Sequence, residues 1–292
     1  MTFLKGNASD PFVFDYEETK ELGLDLASRY ADGDPFPHIV IDDFLPQSVA
    51  DYVIANFPET LSAEQDREFD RDQERRKKNI NPDYMEPKLR SLFYAFNSRP
   101  FIKMVENITG ISGLIGDPYF LGAGFHDIGT GGHLSVHADF NLHKPMHLER
   151  RVNMLIYLNP DWKLEYGGQL ELWREDMSER VQSIVPLANR CAMFTTTETS
   201  MHGNPEVVAH PDDKSRRSIA LYYYTATWDE NRTFKTTQFR VRPNSDDKVD
   251  WQVRSNQFMT EYLPPVISRR LIRLGQKMNG PKMHDQKMND RH

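Results

Sequence analysis

The sequence predicts a mainly β protein with helical support. From residue 117 onward, short apolar segments alternate with Gly, Pro, Asn and Asp, the pattern of an all-β sandwich or barrel. Before residue 117, apolar residues recur at spacings of three and four, the period of helices that bury one face. The composition, 38% hydrophobic and 27% charged over 292 residues, is that of a globular chain. The longest apolar runs, such as 154–158, are too short to span a bilayer.

The elements follow in order. Residues 1–35 form a helical or loose lead-in. His38 to Ile41 makes a strand, closed by Asp42 and Asp43 and followed by Pro46. Val49, Tyr52, Val53 and Phe57 share a helix face over 48–57, with Ser48 as N-cap. Residues 62–80 carry many charges of both signs and read as a solvated loop or exposed helix, or as a substrate lid. Helical spacing resumes over 86–108 through Leu89, Leu92, Phe93, Phe96, Ile102, Val105 and Ile108. Strand segments then fall in 118–128, 133–140, 151–159, 167–173, 190–197 and 217–226. Asn159-Pro160-Asp161 and Tyr166-Gly167-Gly168 supply turns. No repeat of 20–50 residues is visible. After Asp229 the chain turns polar, with a helix over 265–278. Seven Lys and Arg stand against two Asp in residues 268–292, a basic tail read as solvated and frayed. Three regions are expected: support at 1–116, a core at 117–229 and an extension at 230–292.

Composition also excludes functions. One Cys, Cys191, forms no internal disulfide and builds no thiolate metal site. A net charge of −7 argues against nucleic acid as a partner, which clustered Lys and Arg would favour. The first twenty residues lack the apolar core of a secretory signal. The scarcity of Cys suits a reducing cytosol, so a cytoplasmic location is expected. Oligomeric state is left open. Ten His beside one Cys direct attention to metal chemistry through imidazole and carboxylate.

That chemistry gathers at 131–141, GGHLSVHADFN. Side chains alternate along a strand, so His137 and Asp139 face one way. The pair suits Fe(II), Mn(II) or Zn(II) without choosing among them. A third ligand must come from another strand, and His143, His147, His202 and His210 are the candidates. His202 is favoured, because it follows a strand and precedes Gly203, which lets backbones approach closely. Two His and one Asp on one side of a metal leave coordination positions open, as in non-haem Fe(II) oxygenases. In the strand 215–225, Arg216, Ser218, Ala220 and Tyr222 share a face. A guanidinium with a hydroxyl two residues on suits a terminal carboxylate. Arg217 faces the other way, and Arg216 is preferred as the clamp. Along 151–159, Asn153, Leu155 and Tyr157 share a face, and the Tyr157 phenol can donate to the same carboxylate.

HADF, then HGNP, then RRSIALYYYT, with RVNMLIYLNPDW and YGGQLELW between them, resembles the Fe(II)/2-oxoglutarate-dependent dioxygenases, in the prolyl 4-hydroxylase-like branch. The likeness covers residues 117–228, and PFPHIVIDDFL suggests that it starts near 35. It implies a double-stranded β-helix (jelly-roll, cupin-like) core packed on N-terminal helices. It implies His137, Asp139 and His202 as ligands of Fe(2+), with Arg216 and Ser218 holding the distal carboxylate of 2-oxoglutarate. Tyr157, with Asn153 beside it, joins that cofactor pocket. The implied reaction consumes O2, decarboxylates 2-oxoglutarate to succinate and CO2, and hydroxylates an unactivated C–H bond, with ascorbate as reductant. Asp139 fits hydroxylation, since related halogenases carry a small residue there. The upstream tyrosine of the family is replaced by the neighbourhood of His126 and Asp127.

The substrate is expected to be a small metabolite or amino-acid derivative, or a prolyl residue in a protein. His126, His133, Asn141 and His143 flank the ligands as candidate substrate contacts, with Arg150 and Arg174 further out. The same residues are compatible with two other classes. One is a non-catalytic jelly-roll that binds a ligand. The other is a Zn-dependent hydrolase with the same ligands, which needs a separate general base and gives Arg216 no task.

Overall fold

The computed structural model describes residues 2–7, 9–59, 61, 66–226, 235–247, 255 and 258. In chain order the elements are α1 (Tyr16–Ala31), β1 (His38–Ile41), α2 (Gln47–Ala55), β2 (Arg67–Arg71), β3 (Glu74–Ile80), α3 (Pro87–Phe96), α4 (Arg99–Thr109), β4 (Ile115–Gly116), β5 (Gly124–Ala138), β6 (Leu142–His143), β7 (Leu148–Tyr157), β8 (Leu170–Trp173), β9 (Arg180–Ile184), β10 (Cys191–Thr195), β11 (Met201–Asn204), β12 (Arg216–Ala226) and β13 (Gln238–Phe239). Met1–Lys248 is one compact unit and Val249–His292 a second. Among the described residues no helix is long and apolar enough to cross a membrane.

Every strand pairing is antiparallel, and β5 belongs to two layers. Its first half, 124–128, pairs with β12, which continues through β7 and β10 to β1. Its second half pairs with β11, followed by β8 and β9. Between the halves lies Gly129-Thr130-Gly131-Gly132, where Gly131 takes φ +84° and the strand can turn from one layer into the other. The layers face each other. Tyr157, Ala192 and Phe194 of the first pack with Leu170, Leu172 and Ile184 of the second. This is the jelly-roll that the sequence predicts.

The outer face of the first layer is covered by helices. Met154, Ile156, Ile219, Leu221 and Tyr223 join Phe93, Phe96 and Phe101 of α3 and α4 in the main core. Phe96 and Phe101 lie 5.0 Å apart between ring centroids. Fully burying each such side chain contributes roughly 1.5–3 kcal/mol. Tyr223 also donates its hydroxyl to the Phe96 carbonyl at 3.0 Å, so that its buried phenol is satisfied. Asp15 caps α1 by accepting from the Glu18 amide at 2.9 Å. Asn107 Nδ2 of α4 donates to the Lys20 carbonyl of α1 at 2.9 Å.

Several elements differ from the sequence reading. The charged segment is neither loop nor helix where it is described. β2 and β3 form a hairpin around Asp72-Gln73, and β3 runs along the free edge of β5 from Leu134 to Phe125. The unpaired backbone of β5 rewards an added strand, and the burial of charge is met by pairing. Glu74, 7% exposed, accepts from Lys77 Nζ at 3.1 Å and from Arg71 Nε at 3.0 Å. Burial acts to raise the Glu74 pKa, but Lys77 and Arg71 together hold it down at about 2. α2 starts after Pro46 and has no side-chain cap, so Ser48 lies inside it. The 86–108 stretch is two helices, because Ser98 and Pro100 open α4 with a first turn that needs no donor from Pro. Sheet pairing also crosses the expected 116/117 boundary, through β1 with β10 and β3 with β5. The helix expected over 265–278 and the basic tail lie outside the described residues.

Candidate active site

His137 of β5 and His202 of β11 are direct cross-strand partners, with ring centroids 4.6 Å apart. Gly203 makes this approach possible. A Cβ there would meet the Leu134 and Ser135 carbonyls at 2.9 Å. Asp139, just past the end of β5, places Oδ1 3.6 Å from His137 Nε2 and Oδ2 3.2 Å from His202 Nε2. One ligand atom from each of the three lies within 4.8 Å of the others. His137 Nδ1 donates to the Ser135 carbonyl and His202 Nδ1 to the Ser200 carbonyl, both at 2.8 Å. Each Nδ1 therefore carries the proton, and each Nε2 presents a lone pair to the space between the three residues. Burial lowers the pKa of His202. Burial acts to raise the pKa of Asp139, but Arg150 and His202 hold it well below the usual carboxylate range. Two imidazoles and one carboxylate form a donor set for a divalent first-row metal.

Asp139 is held from β7. Asn153 Nδ2 donates to Asp139 Oδ2 at 2.7 Å, and Arg150 Nη2 lies 3.1 Å from the same oxygen. Arg150 Nε and Nη2 also donate to Asn153 Oδ1, at 2.9 and 2.6 Å. The guanidinium lies 3.5 Å from the Tyr222 ring centroid and 4.5 Å from that of Phe140, stacking that suits its planar charge. Asn153 thus faces inward as its alternation requires, but its amide is spent on Asp139 and Arg150. The sequence reading sets Asn153 beside the 2-oxoglutarate residues, and the contacts observed tie it to Asp139 and Arg150. Nothing in the local pattern marks Arg150 as the partner of the acidic ligand, because a charged residue three positions from Asn153 reads as surface.

A second polar cluster sits where β12 meets β7 and β5. Ser218 is opposite Tyr157 on one side and His126 on the other. Arg216 is 3% exposed, donates from Nε to the Gly168 carbonyl at 2.7 Å and from Nη2 to the Tyr157 hydroxyl at 3.4 Å. Gly168 has φ +69°, and a Cβ on it would press on Arg216 Cδ at 3.0 Å. Among the described residues no carboxylate faces Arg216, and burial lowers its pKa. The Ser218 hydroxyl is wholly buried and makes no hydrogen bond. Burial pushes the Tyr157 phenol up to about 12, so it remains a donor. An unpaired buried cation costs several kcal/mol, which an anionic ligand with oxygens for Arg216, Ser218 and Tyr157 would offset. Arg217 faces away, against the Phe57 ring and Glu59, as alternation predicts.

The other candidate residues divide. His126 lies beside this cluster. Its Nε2 donates to the Gly122 carbonyl at 2.8 Å, and burial, with the charges of Lys77, Arg216 and Arg150, takes its pKa down to about 3. His133 is half-buried and donates to the Asp72 carbonyl; with Arg75, Trp173 and Arg242 it lines an open groove of about 880 Å³ that no triad residue lines. Asn141 is buried, and its Oδ1 accepts from the Lys235 amide at 2.7 Å. His143 is wholly buried rather than at the surface, 3.5 Å from Asp117 and packed on Tyr119 and Tyr224. The reason is that 142–143 forms a short strand against β7, which turns its ring into the core. His210 is packed between Trp162 and Tyr166. Arg174 makes an exposed two-bond pair with Asp34.

Residues 123–256 match the 2OG-Fe(II) oxygenase superfamily. The match covers just under half of the chain. A mouse relative, the prolyl 3-hydroxylase OGFOD1, is 32% identical over 79 residues, 26% of this chain. The match spans only 14% of that relative's length. The chain also resembles solved structures. A prolyl hydroxylase from Trichoplax adhaerens, solved with a hypoxia-inducible-factor peptide fragment, aligns with TM-score 0.50 and 20% identity over 71% of this chain and 91% of its own. A Pseudomonas putida prolyl-4-hydroxylase aligns with TM-score 0.47 and 18% identity over 69% and 99%. The first likeness agrees with the jelly-roll topology. The residues present also fit the groups this superfamily uses. The donor set suits ferrous iron, and the orphaned Ser218 hydroxyl beside unpaired Arg216 suits a dicarboxylate.

Proposed function

We propose that this protein is an Fe(II)- and 2-oxoglutarate-dependent oxygenase that hydroxylates an unactivated C–H bond in the manner of prolyl hydroxylases. The observation that carries the reading is a pair of features in one jelly-roll. Three ligand atoms converge at His137, Asp139 and His202, and a buried cation that faces no carboxylate among the described residues stands at Arg216. Bound iron supplies the oxidative chemistry, in which 2-oxoglutarate, O2 and substrate become succinate, CO2 and hydroxylated product.

The chain's own residues bind and orient. His137 and His202 offer Nε2, each fixed in tautomer by a backbone carbonyl. Asp139 brings the negative charge, and its Oδ2 is occupied by Asn153 and Arg150. Arg216, Ser218 and Tyr157 take the distal carboxylate of 2-oxoglutarate, the guanidinium by charge-assisted bonds and the two hydroxyls by donation. This pocket is closed to water on the Arg216 side, which strengthens each polar contact. A hydrolase with the same ligands would leave Arg216 uncompensated. The substrate is a small metabolite, an amino-acid derivative or a prolyl residue in a protein. Ascorbate serves as the reductant that keeps iron ferrous, and a reducing cytosol suits both that need and the unpaired, buried Cys191.

The test is formation of succinate from 2-oxoglutarate by the purified chain with Fe(II) and ascorbate. Slow turnover without substrate is expected, and Asp139→Ala should abolish it. Turnover by Asp139→Ala at the wild-type rate would refute the assignment.

A further inference from the structure

Residues 235–247 lie within the polar extension, yet they run across all three segments that carry the ligand triad. The Lys235 amide donates to Asn141 Oδ1 at 2.7 Å, two residues beyond Asp139. Lys235 Nζ reaches Glu198 Oε2 at 2.6 Å, in the turn whose Ser200 carbonyl fixes His202. β13 pairs with the end of β5, Gln238 opposite Ala138 and Phe239 opposite His137, and the Arg240 amide donates to the Val136 carbonyl at 2.8 Å. Further on, Arg242 is fixed by Asp247 at 3.0 Å and Glu206 at 2.8 Å, the latter just after β11.

Direct cross-strand partners in an antiparallel pair project to the same side of the sheet. Phe239 therefore stands on the face from which His137 meets the triad, and the two rings are 5.4 Å apart. His137 has Phe239 on one flank and His202 on the other. Phe239 itself is only half-buried, so one side of its ring borders open space.

We propose that residues 235–247 are a strap that closes the metal-facing cavity, and that Phe239 is its apolar wall, the surface a substrate meets beside His137. The placement of the cavity rests on the function proposed above, but the strap and the wall are tested without metal or turnover. An aromatic wall next to a reacting centre excludes water and favours an apolar substrate portion, such as a pyrrolidine ring or an aliphatic chain.

The experiment uses the full-length, metal-free chain and diethyl pyrocarbonate, which acylates accessible imidazoles, with peptide mass spectrometry of each His. Exposed His147 reports reagent activity, and wholly buried His143 reports the integrity of the fold. Phe239→Ala should raise the labelling rate of His137 severalfold with His143 still silent, and Phe239→Leu should restore the wild-type rate. An unchanged His137 rate in Phe239→Ala overturns the wall. If Phe239→Ala labels at His143, the fold is lost, and hydrogen exchange of the wild-type chain decides instead. Slow exchange of the Arg240 amide supports the strap, and exchange at the unstructured rate overturns it. Failure of the oxygenase reading would show separately, as absence of succinate from wild-type protein.

Discussion

Asn153 Nδ2 donates to Asp139 Oδ2 at 2.7 Å, so the acidic residue of the triad is positioned by the neighbouring strand rather than by its own. β5 ends at Ala138, and Asp139 stands beyond the last ladder bond. Without a partner its carboxylate could rotate between the two His. With Asn153 and Arg150 on one oxygen, the other is left for a metal.

Removing that partner should weaken the metal site without unfolding the protein. Asn153→Ala is expected to lower Mn(II) or Fe(II) affinity about 10- to 100-fold, the usual effect of losing a residue that orients a ligand. Calorimetric titration of the metal checks this. The conservative Asn153→Gln should recover part of the loss, and equal affinity in Asn153→Ala and wild type would deny Asn153 this role.

Arg216 trades stability for binding. Its buried charge faces no carboxylate among the described residues, so Arg216→Met should raise the melting temperature of the ligand-free chain. The same change should cost roughly 1.5–3 kcal/mol of 2-oxoglutarate binding, about 10- to 150-fold in affinity. Metal affinity should not move. Differential scanning calorimetry and a 2-oxoglutarate titration read the two effects separately.

His126 should make the fold sensitive to mild acid. Its folded pKa, about 3, is below its ordinary value of 6.5, because burial disfavours the charged ring. Between those values the unfolded chain binds a proton that the folded chain does not, so stability rises with pH across this window. The contribution is whole above about pH 6.5 and is lost as pH falls toward 3. Urea midpoints between pH 4 and 7 should fall less steeply for His126→Gln than for wild type.

How much of this was readable in advance depended on the range of the forces involved. Strand alternation is local, and it placed His137 with Asp139, Arg216 with Ser218, and Tyr157 and Asn153 on inner faces, as found. Gly203 and Gly168 likewise stand where close approach demands them. Pairing between distant segments was not readable. The hairpin of β2 and β3 looked like solvated charge because its partner, the free edge of β5, lies some fifty residues away in the chain. The inner face of β7 was seen, but not that Asn153 would find Asp139 there. His143 stands beside Lys144 and Pro145, a local setting that gives no sign of burial, and pairing of β6 with β7 buries it. Phe239 sat in a polar stretch with no periodicity to mark it.

The most direct test of the central claim is calorimetric binding of 2-oxoglutarate with Mn(II) as a redox-silent metal. Wild-type protein should bind 2-oxoglutarate when Mn(II) is present and far more weakly without it. Asp139→Ala should lose the Mn(II)-dependent part, and Arg216→Met should lose affinity while still binding Mn(II). Binding of 2-oxoglutarate that is indifferent to Mn(II), or unchanged in both variants, would contradict the claim that the triad and Arg216 form one site.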